Sequence, residues 1–164
     1  MRIGFVGLGK LGYPCAVATS MKGHDVMGYD VDPARMNNNP KLYEETAEDG
    51  VTHINEILPL SRVRFKGLKE VIAHGEIIFV AVQTPHQPAY EGITRLTDDR
   101  EDFDYHFLVD AMKNISQAVE ELGEEKIVVV ISTVLPGTMR RHIMPILSPK
   151  IKLCYNPYFI AMGT

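Results

Sequence analysis

The stretch IGFVGLGKLGYP, residues 3–14, runs from apolar side chains straight into three glycines spaced G-x-G-x-x-G. Few structures need bare backbone at the end of an apolar run. Arg2–Val6 reads as a short buried strand and Lys10–Met21 as the helix after it, stopped by Gly23, which accepts a positive φ at the C-cap. Between them Gly7 allows a tight turn. Gly9 has no Cβ, so a pyrophosphate can approach the backbone, and Gly12 lets the helix pack closely on the strand. The helix N-terminus then offers free N–H groups and a partial positive charge to phosphates. Pro14 falls in the first helical turn, where a missing N–H costs least.

A glycine triplet alone is weak evidence, and its context decides. The second element is an acidic residue about 20 positions on, at the end of the next strand. HDVMGYD, residues 24–30, supplies it: Asp25–Tyr29 reads as a strand and Asp30 stands at its end. A carboxylate there accepts hydrogen bonds from the adenosine ribose hydroxyls and repels a 2′-phosphate, so NAD is favoured over NADP. The plain alternative is a glycine turn with a solvated aspartate.

The rest of the chain repeats the alternation. Val51–Leu58 reads as a short helix, Arg62–Phe65 as a weak third strand and Leu68–Ala73 as a further short helix. Glu76–Val82 is a continuous β-branched run, the pattern of a parallel strand covered on both faces. Leu108, Met112, Ile115, Val119 and Leu122 recur at helical spacing, with Asp104 placed as an N-cap and Gly123 as a stop. Lys126–Ile131 and Ile151–Cys154 read as strands five and six, with a helix over 137–146 between them. The order β-α-β predicts an α/β fold, a Rossmann-type doubly wound, mainly parallel six-stranded sheet with helices on both faces. Gln83–Asp102 breaks the pattern: acidic residues, two prolines and a glycine, without periodicity. An irregular connection of about 20 residues usually carries a function. This one leaves the C-terminal end of a strand, where ligands of such sheets bind.

Composition narrows the classes. The 164 residues are 45% hydrophobic and 23% charged, with a formal net charge of −4. That fits one globular domain with a real core. There is no basic run for nucleic acid, and no apolar stretch near the roughly 18 residues of a membrane span. Met1-Arg2 leads directly into the first apolar run and Gly7 breaks it too early for a signal peptide. Two cysteines, Cys15 and Cys154, form no CxxC pair, which fits a reducing cytoplasm. Both read as small buried apolar residues. The six histidines show no ligand spacing, so no metal is expected.

Four segments together carry a family resemblance: GFVGLGKLGYP before residue 15, IIFVAVQTP (77–85), ISTVLPGT (131–138) and YNPYFIAMGT (155–164). With them the chain resembles the N-terminal NAD-binding domain of the UDP-glucose/GDP-mannose dehydrogenase family over nearly its whole length. The resemblance implies oxidation of a nucleotide-sugar alcohol to a carboxylate in two NAD-dependent steps, through a cysteine thioester formed in a later domain. It implies cofactor contacts from Gly7, Gly9, Lys10, Leu11 and Gly12 in the first turn, from Asp30, and from Val82, Thr84 and Thr133 beyond the later strands. Thr133 takes the family's water-positioning role. For Thr84 and Thr133 the alternative is a hydroxyl capping a strand end.

The sequence departs from the family pattern. N-P-E-F-L-x-E-G here reads Asn156, Pro157, Tyr158, Phe159, Ile160, Ala161, Met162, Gly163, and Gln83 stands where the family usually has proline. Both glutamates are replaced. An unperturbed tyrosine has a pKa near about 10, and Met162 has no exchangeable proton, so neither does a carboxylate's proton work. The family's central helix, sugar-site lysine and asparagine, and nucleophilic cysteine belong beyond Thr164. The expectation is therefore a domain spanning 1–164 that binds NAD and does not by itself oxidise a nucleotide sugar. It would meet that sugar only with a substrate domain, bind no nucleic acid or membrane, and leave the sugar and the oligomeric state open. The alternatives are a non-catalytic or diverged NAD-binding module and a fragment of an NAD-dependent hydroxyacid dehydrogenase.

Overall fold

The apolar runs pair side by side and all point the same way. The computed structural model describes residues 1–36, 62–90, 98–99 and 101–158. Within them β1 (Arg2–Val6), β2 (Asp25–Tyr29), β3 (Arg64–Phe65), β4 (Ile77–Val80), β5 (Lys126–Val130) and β6 (Ile151–Tyr155) form one six-stranded sheet, ordered β3-β2-β1-β4-β5-β6. Every pairing is parallel. The winding reverses between β1 and β4, and a doubly wound sheet opens a crevice at that switch point.

Among the described residues three helices cover the two faces: α1 (Gly12–Met21), α2 (Leu68–His74) and α3 (His106–Leu122). Successive side chains of a strand point to opposite faces. Ile3 and Phe5 of β1 accordingly join Val26, Ala16 and Val17 under α1. Val6 joins Ile78, Val80, Val128 and Val130 beneath α2 and α3, which add Ile72, Leu108, Met112, Ile115 and Val119. Burial on both faces is why the central strands read as unbroken apolar runs.

Several boundaries differ from the expectation, each for a local reason. Helix α1 begins at Gly12, not Lys10, because Lys10 and Leu11 belong to the turn. β4 is shorter than the apolar run over 76–82, and β3 keeps only two of the four residues expected. Asp104 is not the N-cap of α3, a position held by Tyr105. Instead the Asp104 carboxylate accepts from the His106 N–H at 3.0 Å, closing a turn one residue earlier. The helix expected over 137–146 is a π-helical turn (Met139–Ile143) running into a 3-10 turn (Met144–Ile146). Pro145 lacks an N–H and its ring clashes with the carbonyl four residues back, so a regular helix cannot continue through it. The helix expected over 51–58 lies outside the described residues.

The cysteines are also less buried than expected. Cys154 is exposed because β6 is the sheet edge, and Cys15 on α1 is half-buried, which pushes its thiol pKa up. Both are free thiols. Among the described residues no helix is long and apolar enough to cross a membrane.

Candidate dinucleotide site

The glycine turn lies where the C-terminal ends of β1 and β4 diverge. Gly7 has φ +92°, and a Cβ built on it would sit 2.5 Å from the Ala81 carbonyl oxygen. Its N–H donates to the Tyr29 carbonyl at 2.9 Å, tying the turn to the end of β2. Leu8 is fully buried. Gly28 makes room for it, since a Cβ there would stand 3.0 Å from Leu8 Cδ2.

Asp30 does more than its position in the sequence implies. It is 9% exposed, and its Oδ2 accepts from the Leu8 N–H at 2.7 Å while Oδ1 accepts from the Asp32 N–H at 2.9 Å. The carboxylate thus holds the glycine turn against the end of β2. Each oxygen keeps acceptor capacity for a ribose hydroxyl, because a carboxylate oxygen has two lone-pair sites.

Gly9 and Gly12 have different jobs. A Cβ on Gly12 would stand 1.9 Å from the Gly7 carbonyl oxygen and 3.0 Å from Ala81 Cβ, so the helix start sits directly on the turn. A Cβ on Gly9 would meet, among the described residues, only the tip of the Arg35 guanidinium, at 3.1 Å. Among the described residues nothing accepts from the N–H groups of Gly9, Lys10 and Leu11. These are donors of the turn that leads into α1, with Leu11 at its N-cap, so they lie beside the electropositive end of that helix. Open space over Gly9, free donors and an acidic partner fit the pyrophosphate and ribose of a dinucleotide.

Across the crevice, the ends of β4 and β5 are stitched together. The Thr84 hydroxyl donates to the Thr133 carbonyl at 2.7 Å, and the Ser132 hydroxyl donates to the Val82 carbonyl at 2.6 Å. Thr84's proton therefore serves the loop, while its oxygen can still accept. The Thr133 hydroxyl meets no partner among the described residues.

One cleft of about 890 Å³ joins the two halves. That is within the range of small-molecule sites. Gly7, Gly9, Lys10, Leu11 and Asp30 line one side, and Val82, Thr84 and Thr133 the other. Gly12 lies outside the lining, beneath the turn. Sequence reasoning missed Arg35, which lines the cleft beside Gly9 and pairs with Asp32 (Nε to Oδ2, 3.6 Å). It also missed the wall formed by Phe107, Asp110, Ala111 and Asn114 of α3. These residues recur at helical spacing on the flank beside the buried stripe of the same helix, a signal as legible as that stripe. Among the described residues no three His, Cys, Asp or Glu side chains gather as metal ligands would.

A model of the UDP-glucose/GDP-mannose dehydrogenase family, NAD binding domain, matches residues 1–164. The chain belongs to this family. As a member of it, the chain is similar to the GDP-mannose 6-dehydrogenase of Azotobacter vinelandii, 31% identical over 149 residues, covering 90% of the chain and 32% of the relative. The GDP-mannose 6-dehydrogenase of Pseudomonas aeruginosa is 29% identical over 152 residues, with 90% and 32% covered. Among solved structures, a ternary complex of GDP-mannose dehydrogenase from Pseudomonas aeruginosa superposes with a TM-score of 0.78 at 26% identity, covering 98% of the chain and 36% of that protein. A UDP-glucose dehydrogenase from the archaeon Pyrobaculum islandicum gives 0.75 at 27% identity, covering 100% and 37%. The chain spans about a third of the length of these relatives. It is an NAD-binding domain of the nucleotide-sugar dehydrogenase type.

Two positions where this family member departs from the family pattern fall differently in the structure. Tyr158 lines the cleft, 56% exposed, with its N–H donating to the Ile131 carbonyl at 3.2 Å. Met162 lies outside the described residues, with the rest of 159–164.

Proposed function

We propose that residues 1–164 are the cofactor half of an NAD-dependent oxidoreductase that converts a nucleotide-sugar alcohol to a carboxylate. The observation that carries this reading is the cleft. It gathers Gly7, Gly9, Lys10, Leu11, Asp30, Val82, Thr84 and Thr133 from both sides of the switch point. Family membership and the similarity to GDP-mannose 6-dehydrogenases support the substrate class. Bound NAD supplies the hydride acceptor. The free N–H groups of Gly9 to Leu11 hold the pyrophosphate, Asp30 the adenosine ribose, and the Thr84 and Thr133 loops flank the nicotinamide half. Gly12 sets the height of the helix and does not touch the cofactor. Two free thiols fit a reducing compartment, and we place the protein in the cytoplasm.

Tyr158 favours a second reading, a diverged binder. It brings a phenol to the cleft where the family pattern has a carboxylate. In either reading the chain on its own binds NAD without turnover, because hydride transfer needs the sugar carbon held within about 3–3.5 Å of its acceptor. The assay is NADH formation with UDP-glucose and GDP-mannose at high protein concentration, and no rate above the blank is expected. A rate above the blank that disappears in Gly9→Val would overturn this.

A further inference from the structure

Four consecutive residues, Ser132 to Leu135, follow β5, and each is hydrogen-bonded to another segment of the fold. Ser132 donates to the Val82 carbonyl at 2.6 Å, and the Thr133 carbonyl accepts from Thr84 at 2.7 Å. Val134 is gripped twice by one group: its N–H donates to the Tyr155 hydroxyl at 3.1 Å, and its carbonyl accepts from that hydroxyl at 3.2 Å. The Leu135 N–H donates to the Tyr105 hydroxyl at 3.3 Å, and that hydroxyl donates to Asp102 Oδ1 at 2.5 Å. The restraints therefore come from the end of β4, the start of α3 and the end of β6.

A loop restrained at every residue presents something. Of its side chains, only Thr133 lines the cleft with a hydroxyl that meets no partner among the described residues. Ser132, which also lines the cleft, has its hydroxyl proton committed to Val82. A group must be held within about 0.5 Å of its working position to be useful, and partners of its neighbours do that holding. We infer that Tyr155 and Tyr105 are positioning residues: their hydroxyls fix the 132–135 loop so that Thr133 faces the nicotinamide half of a bound dinucleotide. This rests on the reading of the cleft given above. The tyrosine hydroxyls grip backbone and leave the cleft itself to Thr133. The hydrogen-bonded state of Tyr105 is consistent with this role. Burial, and then its bond to Asp102, push the phenol pKa up, so the hydroxyl remains a donor at neutral pH.

The test separates the two ends of the cleft. Affinities of the 164-residue chain for NAD and for ADP-ribose are measured by calorimetry for wild type, Tyr155→Phe and Tyr105→Phe. ADP-ribose reports the glycine turn and Asp30 alone. Removing one hydroxyl is expected to weaken NAD about fivefold, the size of one lost hydrogen bond, and to change ADP-ribose by less than about twofold. A merely structural role would not change the ratio of the two affinities. Unchanged NAD affinity in both variants, or equal weakening of both ligands, overturns the inference. Failure of the wild-type chain to bind either ligand overturns the reading of the cleft and this inference with it.

Discussion

Gly12→Ala is expected to destabilise the fold more than any other single methyl added to the glycine turn's helix start. The new Cβ would lie 1.9 Å from the Gly7 carbonyl oxygen, and behind it Ala81 Cβ stands at 3.0 Å. Neither neighbour is the end of a flexible side chain, so relief requires α1 to move off the sheet. Gly7 itself cannot shift to make room: its φ of +92° and its closeness to the Ala81 carbonyl fix it. Overpacking of this kind costs about 3 kcal/mol. For a chain of this size that is a fall of roughly 6–12 °C in melting temperature. Thermal unfolding followed by circular dichroism measures it. A variant that melts with the wild type would mean that the helix start is not seated on the turn.

Gly9→Val should do the opposite: keep the fold and lose the ligand. Gly9 is not among the positive-φ glycines, so valine is not strained there by backbone conformation. Among the described residues the only atom near its Cβ direction belongs to the tip of Arg35, which is half-exposed and able to swing away. The valine methyls would instead occupy the space over the N–H groups of Gly9, Lys10 and Leu11. A hydrogen bond to a charged group contributes about 1.5–3 kcal/mol, so losing one or more lowers NAD affinity by about 10- to 100-fold. The melting temperature without ligand stays close to wild type. Retained affinity would show that the phosphates do not lie over this turn. Gly9 and Gly12 are three residues apart in one motif, and their variants separate cofactor binding from stability.

The sheet was legible in the sequence because parallel strands buried on both faces must be apolar throughout, as IIFVAV and IVVVI are. The glycine triplet and Asp30 were legible because a turn, a close approach and a hydrogen-bond acceptor each limit the residue types that work. What stayed hidden depended on partners far apart in the chain. Nothing in the spacing says that Asp30 also accepts from Leu8, or that Gly28 is small because Leu8 lies beneath it. Tyr155 and Tyr105 read as ordinary aromatic residues until β6 and α3 bring their hydroxyls to Val134 and Leu135. The alternation of strands and helices predicts a helix over 137–146 but says nothing of its regularity, which Pro145 interrupts. Cys154 was misread because nothing in a single strand's composition says that it lies at the edge.

If the glycine turn and Asp30 together form a site for NAD, the pair must discriminate against a 2′-phosphate. Paired calorimetric titrations of the chain with NAD and with NADP, at one salt concentration, test it most directly. Asp30 is buried, and one of its oxygens accepts from Leu8 of the turn while the other accepts from Asp32, so it cannot swing away from a 2′-phosphate. Burying like charges side by side without compensation costs several kcal/mol. Arg35 stands close enough to Gly9 to offset part of that cost. NAD is expected to bind at least about 10-fold more tightly than NADP, a difference of about 1.4 kcal/mol. Equal or tighter binding of NADP, or no binding of NAD, would contradict it.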